Sequence, residues 1–136
     1  MKRFKIELAT EGNTEIVNLT AALSDQVRDV MGDGVVHLFA VGSTAALTTL
    51  EFEPGLVKHD FKKVMQKIAP EDSQYEHEAT WNDDNGHSHI RASLIGPSLT
   101  IPFTNGRLLI GEYQQPVLLD FDTRPRRRTV IGTVLP

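Results

Sequence analysis

The sequence predicts an α+β protein in which two helices lie against a large, mostly antiparallel β-sheet, in the order β-β-α-β-β-α-β-β-β-β. Three observations carry this. Apolar residues alternate with polar ones near the N-terminus and through the last third of the chain, the period-2 signature of half-buried strands. Two segments between them, 20–31 and 57–68, repeat their apolar residues at helical spacing instead. The 136 residues, 40% of them hydrophobic, make one domain over residues 1–136 that is large enough to fold without a disulfide or structural metal.

Taken in order, Phe4, Ile6 and Leu8 alternate with Lys5 and Glu7, and after a turn at Gly12-Asn13 a second run spans 14–19, so a strand hairpin opens the chain. Thr20 stands in N-cap position before Leu23, Val27, Val30 and Met31, with Gly32 and Gly34 ending the helix. Residues 35–41 are apolar on both sides and read as a central strand covered on both faces. Gly42-Ser43 breaks it, and 45–51 reads as its neighbour. The second helix carries the stripe Val57, Phe61, Val64, Met65 and Ile68, closed by Pro70. The polar stretch 70–88 is too long for a routine connection. Beyond it, 90–95, 99–103, 107–121, interrupted by Gly111 and Pro116, and 127–135 read as strands parted by Pro97, Asn105-Gly106 and the turn 122–125.

Fourteen Lys and Arg against 18 Asp and Glu give a net charge of −4, which argues against a nucleic-acid binder that works by neutralising phosphates. With no cysteine, thiol nucleophiles and Cys-ligated zinc are excluded, so a metal ligand must be His, Asp or Glu. No apolar run approaches the ~18 residues of a membrane span, and the opening segment has no apolar signal core. The expectation is a cytoplasmic protein with neither nucleic acid nor membrane as partner.

Four features could carry chemistry. His87 and His89, two apart at the start of a predicted strand, project to one side and with His77 could chelate a divalent ion such as zinc; solvated loop histidines are the plainer alternative. On that strand Arg91 and Ser93 share the histidine face, which suits an anion or merely solvent. Carboxylates at Glu51, Glu53, Asp60, Asp83 and Asp84 could hold Mg²⁺ with substrate phosphates completing its shell, or be ordinary surface acids. Gly42-Ser43-Thr44 breaks a strand where a ligand could come close, without the pattern of a P-loop. Last, 124–128 packs four arginines into five residues, either an exposed turn entering an edge strand or a phosphate contact.

The runs GSTAALTTLEFEPGLVKHDF, APEDSQYEH and DDNGHSHIRASLIGPSLTIPFTNGRLLIGEYQ, together with the arginine-bearing last strand, resemble the YjbQ-like or UPF0047 family over nearly the whole chain. The resemblance implies a bifurcated, sandwich-like α+β fold assembled as a homotrimer, with the site near a subunit boundary. It implies thiamine-phosphate synthase activity: an aminopyrimidine diphosphate joined to a thiazole phosphate with release of pyrophosphate. The family's recurrent polar residues fall on Glu51, Asp60, His77, His89 and Gln114. The chain departs from the family pattern at Gly42, where many members have histidine, at Leu50, where they have asparagine, and at Glu112-Tyr113.

On this basis Glu51, Asp60 and Gln114 are the expected catalytic residues, with Ser43, Thr44, Arg91 and Arg126 on a phosphorylated small molecule. His77, His87 and His89 are the expected ligands of a divalent metal, Zn or Mg, with Asp84 a further carboxylate and His87 standing in for the histidine absent at Gly42. The alternative is a trimeric metal- or anion-binding protein with another reaction, such as metal-dependent hydrolysis by a zinc-bound water with Glu51 as base.

Overall fold

Alternation of side chains decides the first layer of the structure, a computed structural model that describes residues 1–136. Strand β1 (Lys2–Thr10) pairs with β8 (Arg126–Leu135), β8 with β3 (Asp33–Val41), β3 with β5 (Ser98–Thr104), and β5 with the short β6 (Arg107–Leu108). A second sheet holds β2 (Glu15–Asn18), β7 (Gln115–Asp120) and β4 (Ala45–Leu50) in the order β2-β7-β4. Every pairing is antiparallel.

The two sheets face each other across the main core. Val36, Leu38 and Ala40 of β3, Val130 and Val134 of β8, and Ile101 and Phe103 of β5 meet Leu118 of β7 and Ala45 and Leu47 of β4. Helix α1 (Thr20–Val27) supplies Leu23 and Val27 to the same core. Strand β7 is apolar on both sides because it is buried on both: Val117 and Leu119 point the other way, into a second core closed by Met65 of α2 (Phe61–Ile68) and Ala92 of α4 (Gly86–Ile95). The molecule is thus layered as sheet, sheet, helices. A π-helical turn, Leu56–Asp60, leads into α2, and α3 (Glu76–Trp81) precedes α4.

Several expectations are corrected. The chain has four α-helices rather than two. Residues 90–95 are helical, not a strand: His87 and Arg91, four apart, face inward with Ser88 and Ala92, while Ile90 and Leu94 face out, a spacing that a short alternating pattern also satisfies. The polar stretch 70–88 holds α3 and the start of α4, joined by turns. Strand β4 is not the neighbour of β3: Gly42, at φ +123°, turns the chain out of one sheet and into the other. Strand β3 is central, yet only one face is covered, and Phe39 and Val41 are 44% and 46% exposed on the other. Strand β8, expected at an edge, lies between β1 and β3.

No helix is long and apolar enough to cross a membrane.

Candidate functional site

Where β7 ends and β8 begins, acids and arginines alternate about a turn. Asp120 is fully buried and receives Nε of Arg128 on Oδ2 at 2.7 Å and Nη2 on Oδ1 at 2.9 Å, a two-pronged ion pair. The Thr10 hydroxyl adds a third bond to Oδ2 at 2.5 Å. Burial pushes the Asp120 carboxyl up, but the bonds from Arg128 and Thr10 outweigh it and hold the group below its ordinary value. Thr44 links this pair to the next acid: its hydroxyl accepts from Arg128 Nη2 at 2.6 Å and donates to Asp122 Oδ2 at 3.0 Å.

Asp122, 1% exposed, collects the Thr123 N–H, the Thr44 hydroxyl, Arg126 Nε and the Asn85 amide. Burial opposes ionisation here too, but four donors lower the carboxyl to about 2. The chain of bonds continues outward. Asn85 turns its NH₂ to the ionised Asp122, so its Oδ1 faces His77 Nε2 at 3.0 Å and must be met by a proton there. His77 therefore carries its proton on Nε2 when neutral, leaving Nδ1 free. His89 stands beside it, ring centroids 4.5 Å apart.

These groups border a polar cavity of about 410 Å³, with Ser43, His77, His89 and Arg126 on its walls and no hydrophobic residue among its lining. Across the ridge formed by Gly42 and Ser43 lies a second cavity of about 440 Å³, lined by Phe39, Ala92, Ser93 and Pro97. On the polar side Arg126–Arg128 outnumber Asp83 and Asp122. Arg124 Nη2 reaches Asp83 and Asp84, each at 3.1 Å, in an exposed pairing that contributes little.

The structure thus brings together Ser43, Thr44, His77, His89 and Arg126 of the expected residues. Glu51 and Gln114 lie at the far end of β4, where Gln114 Nε2 donates to Thr49 Oγ1 at 3.1 Å. Six strand residues at about 3.3 Å each put them roughly 20 Å from Ser43. Asp60, exposed on the π-helical turn, is also outside the cavity.

Two expected residues turn inward. On a helix, positions two apart point to nearly opposite sides, so His87 does not join His89: it is 2% exposed, packs toward Tyr75, and leaves Nδ1 without a partner. Arg91 spends its guanidinium inside the fold, donating to the Ala69 carbonyl at 3.0 Å, Thr14 Oγ1 at 3.1 Å and Gln66 Oε1 at 2.7 Å, and so is no phosphate contact. No three His, Asp or Glu side chains of the chain converge as metal ligands do. Two imidazoles stand together, but no carboxylate or third imidazole converges with them, so the donor set of one chain does not fit the expected metal.

Sequence reading did not single out Asp120, Asp122 or Asn85, and held Arg128 only as one of the arginines of 124–128. A signal was there for the network's charged members: Asp120 and Asp122, then Arg126 and Arg128, are spaced symmetrically about Arg124.

Residues 4–136 match the family described as UPF0047 protein YjbQ-like. A UPF0047 protein of Archaeoglobus fulgidus is 34% identical over 133 residues, spanning 96% of this chain and 99% of its own, and one of Methanothermobacter thermautotrophicus is 30% identical over 127 residues, spanning 93% and 86%. Among solved structures, a hypothetical protein of Aeropyrum pernix superposes with a TM-score of 0.89 at 27% identity, covering 99% of this chain and 98% of the other. An uncharacterised YjbQ/UPF0047 protein of Clostridium acetobutylicum gives 0.85 at 28% identity, covering 97% and 99%. With the family matched almost end to end and the sheet-and-helix arrangement shared, this chain is a member of the YjbQ-like UPF0047 family.

Proposed function

We propose that the polar cavity binds a phosphorylated small molecule and that the protein acts as a thiamine-phosphate synthase. The observation that carries the binding reading is a cavity lining without a hydrophobic residue, where Arg126, Ser43 and His89 present donors not consumed by the fold. The reaction is the one implied by the family resemblance. In it the C–O bond to the diphosphate breaks, a C–N bond to the thiazole nitrogen forms, and pyrophosphate leaves with the electron pair. Little covalent help is needed, because the barrier falls when charge on the departing pyrophosphate is met by fixed cationic donors. Support for giving Arg126 that part is that Asp122 takes only its Nε, while the side chain lines the cavity. His77, held by Asn85 through Nε2–H, keeps Nδ1 free as a hydrogen-bond acceptor.

The same reading includes a homotrimer. Phe39 and Val41 on the open face of β3, and Ile90 and Leu94 on the outer face of α4, are large apolar side chains left uncovered by the chain itself. Assembly of copies through such faces is also the way for Glu51, Asp60 and Gln114 of one copy to approach the cavity of another.

The test is direct. Purified protein is given an aminopyrimidine diphosphate and a thiazole phosphate, and pyrophosphate release and thiamine phosphate are followed together. The expected result is product formation that falls roughly a hundredfold in Arg126→Ala. No product above a buffer blank, with divalent metal present and absent, would remove the synthase assignment. Light scattering that reports a monomer at micromolar concentration would remove the trimer.

A further inference from the structure

Arg128 is 7% exposed and its charge is already matched by Asp120. Two of its three nitrogens are consumed there: Nε by Asp120, Nη2 by Asp120 and Thr44. Nη1 makes no hydrogen bond within the chain, and it is not sealed away either, since the one buried side-chain nitrogen or oxygen lacking a partner is His87 Nδ1. A buried guanidinium that keeps one donor in reach of solvent is a built feature, because the cost of drying and ordering it is met by Asp120 and Thr44.

Gly42 stands directly over that donor. A Cβ at this position would lie 2.8 Å from Nη1. The tip of an arginine ordinarily swings aside for a methyl group, but this one is pinned on both of its other nitrogens. Gly42 also lines the polar cavity and its apolar neighbour alike. A side chain at 42 would therefore cover Nη1 at the point where the two cavities meet.

We propose that Gly42 and Arg128 form the recognition point of the cavity, where Nη1, reached past the bare α-carbon of Gly42, donates to an oxygen of the ligand's phosphoryl group while Arg126 and Ser43 take other oxygens. The inference rests on the phosphate-binding reading above and adds the residue that discriminates. Donors that arrive from two segments, the 42–43 turn and the start of β8, suit a tetrahedral group better than a flat carboxylate. Because Arg128 is ordered before the ligand arrives, its donation adds affinity without a further loss of side-chain freedom.

The experiment uses the full chain labelled with nitrogen-15 and titrated with inorganic pyrophosphate, reading the arginine side-chain resonances, alongside calorimetry on the parent and Gly42→Ala with a melting curve for each. The expected result is that the Arg128 and Arg126 signals move together along one saturation curve, and that Gly42→Ala binds pyrophosphate at least tenfold more weakly. The proposal is overturned if Arg126 moves saturably while Arg128 does not, or if a folded Gly42→Ala binds as the parent does. Should Gly42→Ala melt early, the parent titration alone decides. If no arginine signal moves and calorimetry is flat, the phosphate-binding reading itself falls, and this proposal with it.

Discussion

Asp122→Asn probes the charge at the centre of the hydrogen-bond network. The carboxylate accepts from Thr123, Thr44, Arg126 and Asn85 at 2.8, 3.0, 2.8 and 3.3 Å. An asparagine of the same shape keeps one acceptor oxygen and turns an NH₂ toward two of those donors, of which only the half-exposed Arg126 can find water instead. The carboxyl stands at about 2 against an ordinary 3.8, and at about 1.4 kcal/mol per pH unit this corresponds to about 2 kcal/mol of stability. The sign follows from the lowered value. The contribution is complete above about pH 4, where the unfolded chain is ionised as well, and is lost as pH falls toward 2, where the folded group takes up its proton. Urea unfolding of parent and variant at pH 7 and at steps down to pH 2.5 measures it. Asp122→Asn is expected to be about 2 kcal/mol less stable at pH 7, with the gap closing as the pH drops. An equal gap at both ends would show that the loss comes from shape or packing rather than from the ionised carboxylate, and the reading of the network would be wrong.

Further outcomes are expected elsewhere. Arg91→Ala strips the donors that tie α4 to Ala69, Thr14 and Gln66 and leaves buried acceptors unpaired, so it should lower stability by about 3 kcal/mol in denaturant titration. Leu118→Ala, at 0% exposed between the sheets, should cost about 2–5 kcal/mol by the same measurement. Gly132→Ala would bring its Cβ to 2.1 Å from the Phe4 ring and should destabilise by about 1–3 kcal/mol, with Phe4→Ala in the same chain recovering part of the loss; no recovery would mean that the ring is not the obstacle. His87 is pushed below its ordinary value by burial and by the adjacent Arg91 guanidinium. Its protonation favours the unfolded chain, so stability should decline as pH falls below about 6.5 and do so less in His87→Leu, as read by melting temperature between pH 7.5 and pH 5.

Local pattern sufficed for much of the fold. The alternation of Phe4, Ile6 and Leu8, the helical stripe through Phe61 and Met65, and the Asn105-Gly106 turn are each settled within a few residues, and the structure places a strand, a helix and a turn there. Residues 90–95 fit a strand in sequence and belong to a helix in the structure because short-range alternation and an i, i+4 helical face coincide when His87 pairs with Arg91 and Ile90 with Leu94; the packing of Ala92 against the second core chose the helix. Of the candidate site, Ser43, Thr44, His77, His89 and Arg126 were legible as residue types in a suggestive order. Their convergence was not.

What the sequence determined by itself is the class of the protein: a cysteine-free α+β domain whose motifs belong to one family, because composition, period and motif order are properties of neighbouring residues. What only the tertiary structure decided is partnership. That β4 leaves β3 for β7, that β8 is interior, and that Arg128 is buried on Asp120 with one nitrogen left under Gly42 depend on contacts between residues far apart in the chain. Such contacts are selected by the free energy of closing a shared core and satisfying every buried charge at once, and no stretch of sequence carries that balance alone.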